Sequence, residues 1–328
     1  MSDFNNIIGR PDVAGALMPD QTISGIIQEL PKSSVLMERA KKVRLSAKKA
    51  KQAVLTTLPE AFWLDGDTGL KKTTKADWKD QWITAEELAV IVPVPNAVID
   101  DASIDIWQEI KPLLAEAIGL KLDVAALFGV DKPTSWPEAI IPAAAAAGNV
   151  VTSGTVKDLG VDVAALGKMI AKQGFGINGF ASMPGLQWEL IGLRNEQGTP
   201  IYTPSLSAGT PSGLYGYALN EVLNGSWDSD RAELLAIDWS KFLVGIRQDV
   251  TYDIFSEGVI SDSDGKVVLN LMQQDSKAVR VVMRVGFASA VPVTRIGEGQ
   301  KYPAGIIAPA GATFDTEDTE SGEEEPVG

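Results

Sequence analysis

The sequence contains no cysteine and no histidine. Without cysteine there is no disulfide, no thiolate nucleophile, no zinc ribbon and no iron–sulfur cluster. Without histidine the chain lacks the one side chain whose unperturbed pKa lies between about pH 5 and 8. Ser-His-Asp triads, Cys-His pairs and His-ligated metals are thereby excluded. An enzyme of this composition would have to work with carboxylates, lysines, tyrosines or a cofactor. No run of ~18 apolar residues occurs, so no transmembrane helix and no membrane partner are expected. The Ala143–Ala147 tract is too short for one. Met1–Arg10 lacks the charged and then apolar pattern of a secretion signal. No internal repeat of fixed period is visible.

What is present is a chain of 328 residues, 45% of them hydrophobic, enough for one large domain or two ordinary ones. The formal net charge of −14 favours solubility and repels nucleic acid unless the charge is segregated. It is segregated. The segment from Gly311 to Gly328 holds Asp315, Glu317, Asp318, Glu320, Glu323, Glu324 and Glu325 and no lysine or arginine. Such a tail is expected to be disordered. In the other direction, Glu38–Lys51 carries Arg39, Lys41, Lys42, Arg44, Lys48, Lys49 and Lys51. The plain reading is a solvated face. The sharper one is an arm lying on an acidic partner, such as another copy of this chain.

Met1–Thr22 is irregular, and Ile23–Leu30 reads as a short amphipathic segment closed by Pro31. Val54–Trp63 and Trp82–Val94 are apolar, β-branched or aromatic and predict strands. Asp65-Gly66 and Thr68-Gly69 between them are turn signals, so a long projecting hairpin is expected. It carries Trp63, Trp78 and Trp82, three of the eight tryptophans. Aromatics on a projecting hairpin mark a contact surface more often than a private core. Pro93 and Pro95 suggest a sheet edge or exit. Acids at Asp100, Asp101 and Asp105 crowd a helix start. The helix should run to about Phe128, ~26 residues or roughly 39 Å, with Pro112 kinking or splitting it. Gly129–Gly154 reads as a connection. Asp158–Gln173 reads as a helix with Val161, Ala165, Met169 and Ile170 on one face. Short strands are expected at Phe180–Met183, Leu234–Asp238 and Lys241–Arg247, and a loop at Asn195–Gly213. Lys266–Leu271 and Ala278–Pro292 should return to a sheet.

Three motifs invite chemistry and fall short of it. Gly174-Phe-Gly-Ile-Asn-Gly179 fits the dinucleotide spacing, but that mechanism needs a strand before it and a helix after it. Here the expected order is reversed, and Gly174 reads as a helix C-terminal cap. Asp65-Gly-Asp-Thr-Gly69 reads as a hairpin turn before a metal or phosphate site. Asp262-Ser-Asp-Gly265 lacks the spacing of a calcium loop and also reads as a turn. The 43 acids always supply carboxylate pairs, and nothing marks one above the rest. No catalytic, cofactor or metal residue is assigned.

The ordered set of features resembles the major capsid proteins of tailed bacteriophages, an α+β class with the Hong Kong 97 fold. The resemblance rests on Leu30-Pro31 with Ser34, Thr57-Leu-Pro59, Trp63, Asp67-Thr-Gly-Leu-Lys71, Thr84–Pro95 and Asp101–Ala117. Leu214-Tyr-Gly-Tyr217, Ile237–Phe242, Gly245-Ile-Arg247 and Arg284-Val-Gly286 add to it. It covers about residues 18–296, and no single motif is diagnostic. It implies an N-terminal arm at 1–55, an extension-loop hairpin at 56–95 and a peripheral domain with a spine helix at 96–155. An axial domain at 156–265, a return to the peripheral domain at 266–300 and a C-terminal segment at 301–328 complete the expectation. Subunit-interface candidates are Trp63, Lys71, Lys72, Lys75, Trp78 and Trp82 on the hairpin, and Arg39, Lys41, Lys42 and Arg44 on the arm.

The resemblance further implies a structural, non-enzymatic subunit. It would self-assemble through pentamers and hexamers into an icosahedral shell around a double-stranded DNA genome. Assembly would take place in the host cytoplasm, with a separate scaffolding protein and a portal. Packaged DNA would meet only weak, non-specific contact. An encapsulin-like compartment shell shares the fold, and a cofactor-free hydrolase is the rival from another class. Some relatives cross-link a lysine to an asparagine with help from a glutamate. Aligning Arg284-Val-Gly286 puts Asp275 at the asparagine position and Val282 at the glutamate position, so no cross-link is expected.

Overall fold

The computed structural model describes residues 34–64, 70–102, 104–154, 159–194, 197–198, 202, 213–262, 264–296 and 300–314. The segment Ile23–Leu30, the Asp65–Gly69 turn and the acidic tail from Asp315 lie outside these residues, as does most of the Asn195–Gly213 loop.

Ser34 opens α1 (Val35–Arg39), its hydroxyl accepting from the Met37 N–H at 3.1 Å, as an N-cap should. A short strand, β1 (Lys41–Arg44), follows. Then β2 (Lys49–Thr57) and β3 (Asp77–Thr84) pair antiparallel as the expected hairpin. Its first strand starts earlier than Val54 and stops at Thr57, just before Pro59, which has no N–H for a ladder. The expected single run Trp82–Val94 is two strands. β3 ends at Thr84, and β4 (Glu86–Pro95) joins a different sheet.

A short helix, α2 (Asn96–Asp101), precedes the spine helix α3 (Ile106–Leu127), whose N-cap Asp105 accepts from the Trp107 and Gln108 N–H groups. The spine helix has 22 residues, about 33 Å at the α-helical rise. Pro112 does not split it. The missing N–H forfeits one bond, and a packed face along α3 holds the rest of the ladder. The Gly129–Gly154 stretch is more ordered than its Pro, Ala and Gly content implied. It contains α4 (Ile140–Ala146), buried through Ile140, Ile141, Ala143 and Ala144, and β5 (Val150–Thr152). Small residues here let a helix sit deep in the core. The helix α5 (Leu159–Lys172) is where expected but in a different phase. Val163, Leu166 and Ile170 face inward, while Val161 is exposed. Asp162 is buried with the inward face.

The rest of the chain alternates short elements: β6 (Gly179–Ser182), α6 (Leu186–Gly192), β7 (Gly213–Leu214), β8 (Tyr217–Glu221) and β9 (Leu234–Ile237). After a 3₁₀ turn come β10 (Phe242–Phe255), β11 (Val259–Ser261), β12 (Val267–Asn270), β13 (Ser276–Ser289) and β14 (Ala304–Ala308).

Two larger sheets organise these elements. One has the order β1-β10-β13-β4, the other β5-β14-β9-β6-β8-β7. The sheets cut across the expected segment boundaries. β10 starts inside the stretch expected to be axial yet pairs in the four-stranded sheet. β14, from the C-terminal segment, lies in the six-stranded one.

Period-two alternation gives β13 two different faces. Val279, Val281, Met283, Val285 and Phe287 join the main core with Leu114, Ile118 and Leu122 of the spine helix. The six-stranded sheet buries Phe180, Leu219, Leu234, Ala236 and Ile307 with Val163, Leu166 and Ile170 of α5.

The other face of β13 carries the root of the hairpin. Gly245 of β10 and Gly286 of β13 are direct register partners. A Cβ at Gly286 would lie 2.6 Å from the Thr84 carbonyl oxygen, and one at Gly245 would lie 2.7 Å from Leu45 and 2.8 Å from Ile83. The paired glycines thus form a notch into which Leu45, Ile83 and Thr84 press, sealed by Ala85, Leu243 and Ala288. The Trp136 indole donates to the same Thr84 carbonyl at 3.1 Å.

Gly286→Ala should therefore cost about 1–3 kcal/mol through overpacking against backbone that cannot swing away. Urea unfolding of the isolated subunit measures this; an unchanged midpoint shows that the root is not seated in the notch.

Candidate assembly surfaces

Above its root the ribbon of β2 and β3 has no packed interior. Residues at alternate positions share a face, so Trp78, Asp80 and Trp82 lie together, opposite Leu55, Ala53 and Lys51 respectively. Lys51 pairs with Asp80 at 2.9 Å between the two indoles. Trp78 is 65% exposed, Trp82 55% and Trp63 completely so. Phe62, Leu64 and Leu70 are exposed beside them. Lys72 stands 5.2 Å from the Phe62 ring centre, and Lys75 pairs with Asp77 at 2.7 Å, while Lys71 is exposed. One flank is braced: the Val293 N–H donates to the Leu55 carbonyl at 3.0 Å, and Arg295 donates to the Pro59 carbonyl. Isolated two-stranded ribbons are marginal in water, and this one presents large aromatics to it.

The arm candidates lie elsewhere, and not on a free arm. Lys41, Lys42 and Arg44 belong to β1, an edge strand that pairs parallel with β10. All three are exposed, and none has an acidic partner among the described residues. Lysines on a sheet edge discourage unwanted strand addition while leaving a charged rim for a chosen partner. Arg39 is half-buried and donates to the Asn220 side chain. Lys49 and Lys51, expected on the same arm, belong to β2 of the hairpin, and Lys48 just before it pairs with Glu86 at 3.1 Å. The ten candidates thus fall on two surfaces, one aromatic and one basic.

At the hairpin root, Lys48, Ala85, Glu86, Glu87, Arg247 and Arg284 line a cleft of about 310 Å³. The Ser135 hydroxyl and the Lys48 ammonium hold the Glu86 carboxyl below the usual carboxylate range. Arg284 pairs with Glu87 at 2.7 Å, and Arg247 donates to the Ser46 carbonyl. This charged collar packs about the root on the solvent side.

Sequence reasoning passed over Asp123, the one fully buried carboxylate of the spine helix. It accepts from the Ser34 hydroxyl at 2.5 Å, the Val35 N–H at 3.0 Å, the Leu36 N–H at 3.2 Å and the Asn224 amide at 2.8 Å. Burial pushes its carboxyl up, and these donated bonds pull the other way. Asp123 ties α1, the spine helix and the loop after β8 together. The available signal was a lone acid inside the largely apolar stretch Ile118–Phe128, since buried charges are retained only when paired or hydrogen-bonded.

The positions considered for cross-linking are equally specific. Asp275 sits at φ +46° in the turn before β13 and accepts from the Asn96 side chain at 2.7 Å. Val282 is 7% exposed and faces Ala89 and Thr251 across the sheet. The glycine motif at Gly174–Gly179 follows α5 and runs into β6, the order expected, with Gly174 at φ +83° just past the helix end. Asp262 accepts from the Asp264 and Lys266 N–H groups in the turn between β11 and β12. Among the described residues no three acids gather as a metal site, and no helix is long and apolar enough to cross a membrane.

Comparison with known proteins places this architecture. The model of the phage capsid family matches residues 14–292. The major capsid protein of Staphylococcus phage 80alpha is 25% identical over 309 residues, 89% of each chain. That of Klebsiella oxytoca phage phiKO2 is 24% identical, over 76% of this chain and 57% of its own length. A solved structure from Microbacterium phage Oxtober96 superposes with a TM-score of 0.80 at 36% identity, covering 93% of this chain and all of the other. One from Mycobacterium phage Cain gives 0.78 at 30%, covering 94% of this chain and all of its own. These relatives favour a bacteriophage capsid over a cargo-compartment shell. With its glycine-seated ribbon, long spine helix and two sheets, the chain belongs to the phage capsid family, as a structural, shell-forming major capsid protein of the Hong Kong 97 fold.

Proposed function

We propose that the chain works solely by association, with no catalysis of its own. Copies gather as pentamers and hexamers and close into an icosahedral shell around double-stranded DNA. Assembly takes place in the host cytoplasm, with a separate scaffolding protein and a portal. The observation that carries this reading is the ribbon of β2 and β3. Its Trp78 and Trp82 are exposed at the surface of a hairpin that has no interior, and a neighbouring copy can cover them. Buried aromatic anchors ringed by charge are the usual composition of an interface hot spot, and Lys51, Lys71, Lys72 and Lys75 supply that ring.

The two sheets divide the work. The four-stranded sheet and the spine helix serve as the peripheral plate, and the six-stranded sheet with α5 as the axial part that meets its copies around the symmetry axes. The ribbon is the extension loop. The basic rim of Arg39, Lys41, Lys42 and Arg44 receives acidic surface from another copy and not DNA. A net charge of −14 per subunit, repeated over the shell, disfavours counterion-driven adhesion, so packaged DNA slides along the wall.

The shell is held without covalent links. A valine at position 282 cannot move a proton, and the Asp275 carboxylate is a poor target for a lysine amine.

Three outcomes are expected. Purified chain, given its scaffolding protein, sediments as pentamers, hexamers or shells. Trp78→Ala leaves the urea midpoint of the subunit unchanged but weakens assembly by about 2 kcal/mol per contact or more; a variant that unfolds alone assigns the indole to the subunit's own core and sinks the interface reading. Mature particles boiled in detergent run as one monomer band, whereas a ladder of resistant multiples refutes the absence of cross-links.

A further inference from the structure

An apolar groove of about 400 Å³ runs along the spine helix on the side of the four-stranded sheet. Its floor is Pro112, Ala115, Ile118 and Leu122 of α3, and Val250 of β10 and Met283 of β13 form the far wall. Ser34 and Met37 form its near lip. From Pro112 to Leu122 the helix rises about 15 Å.

We infer that residues Ile23–Leu30 of the same chain dock in this groove. Four observations meet there. The chain enters at the groove itself: Ser34 packs on Gly119, where an added Cβ would stand 3.2 Å from the Ser34 Cβ. That entry point is fixed, because Asp123 accepts from the Ser34 hydroxyl and from the Val35 and Leu36 N–H groups. The segment has the right pattern: Ile23, Ile26, Ile27 and Leu30 stand at i, i+3, i+4 and i+7, one face of a helix, with polar Ser24, Gln28 and Glu29 between. The lengths also agree. Eight residues in a helix span about 12 Å. Pro31, Lys32 and Ser33 reach at most about 10 Å, so the segment can lie against α3 and cannot travel far from it.

A helix this short, with Gly25 in it, does not hold in water by propensity, so its order depends on the groove. The docking mode is that of an amphipathic helix laid in an apolar groove, supplied in cis. It covers the apolar lining of the groove in each subunit.

The absence of cysteine makes the test direct, since an introduced pair is the only thiol pair in the chain. Ile27→Cys is combined with Ala115→Cys inside the groove or with Ala117→Cys, an exposed position on the same helix outside it. A disulfide forms only when the Cα atoms approach within about 7 Å. After mild oxidation of the full-length chain, the 27/115 pair should close within one chain, read as a faster monomer band on a non-reducing gel. The 27/117 pair should stay open. Adding Ile23→Asp and Ile26→Asp to the 27/115 chain should lower the yield by about tenfold or more, since two apolar anchors are lost. The inference is overturned by equal yields at 115 and 117, by no closure at either, or by closure only between chains. The last outcome places the arm of a second copy in the groove. None of these results bears on whether the chain builds a shell, which sedimentation decides separately.

Discussion

The hairpin can project because two glycines face each other across the sheet. At Gly245 and Gly286 the strands β10 and β13 present bare backbone, and the Thr84 carbonyl descends to where a Cβ would otherwise be. A ribbon of two strands has no core from which to anchor itself, so its direction must be set at its base. The notch does this by shape, the Trp136 indole by a hydrogen bond, and the Lys48–Glu86 and Arg284–Glu87 pairs by charge at the rim. Of these the shape is the term that cannot be replaced. Exposed ion pairs contribute little on their own, whereas backbone pressed on backbone leaves no room for adjustment.

Because β13 packs against the spine helix on one face and against the hairpin root at Gly286 and Ala288 on the other, it couples the two. Met283 and Val285 pack toward α3, while Gly286 and Ala288 pack toward Ile83. A load on the ribbon is thus carried into a 14-residue strand and on to the 22-residue spine helix. Asp123 ties the start of α1 and the loop after β8 to that same helix. A shell subunit needs this division: a rigid plate at the centre, and surfaces at the edges that stay unsatisfied until a neighbour arrives. The aromatic ribbon and the basic β1 edge are two such surfaces, and they differ in kind, one apolar and one charged.

Much of this was legible in the sequence because periodicity and turn chemistry report directly on local structure. The spine helix was marked by Asp105 before it and by apolar spacing along it, and the hairpin by Asp65-Gly66 between two β-branched runs. Misreadings arose where tertiary packing overrode local signals. Pro, Ala and Gly between 129 and 154 looked like a linker, yet small residues are what permit α4 to be buried at Ile140 and Ile141. The face of α5 expected at Val161, Ala165 and Met169 is rotated from the buried one at Asp162, Val163 and Leu166, because Asp162 packs inward with the apolar residues beside it. The basic stretch from Arg39 to Lys51 read as one arm, but β1 pairs with β10 far along the chain and β2 belongs to the ribbon. No local pattern encodes such long-range partners. Asp123 was missed for the same reason, since its donors at Ser34 and Asn224 stand 89 and 101 residues away. The Gly245–Gly286 pair was visible as two family markers, but its meaning as a notch required the register.

The central claim is that the ribbon is rooted firmly within the subunit and completed only by a neighbour. Hydroxyl-radical footprinting of Trp78 and Trp82, with the buried Trp136 as internal reference, tests it in the free subunit and in assembled shells. The account predicts rapid oxidation of both indoles in the subunit, strong protection in the shell, and a low, constant rate at Trp136 in both. Equal oxidation of Trp78 and Trp82 before and after assembly contradicts it, because the exposed aromatic face would then have no partner.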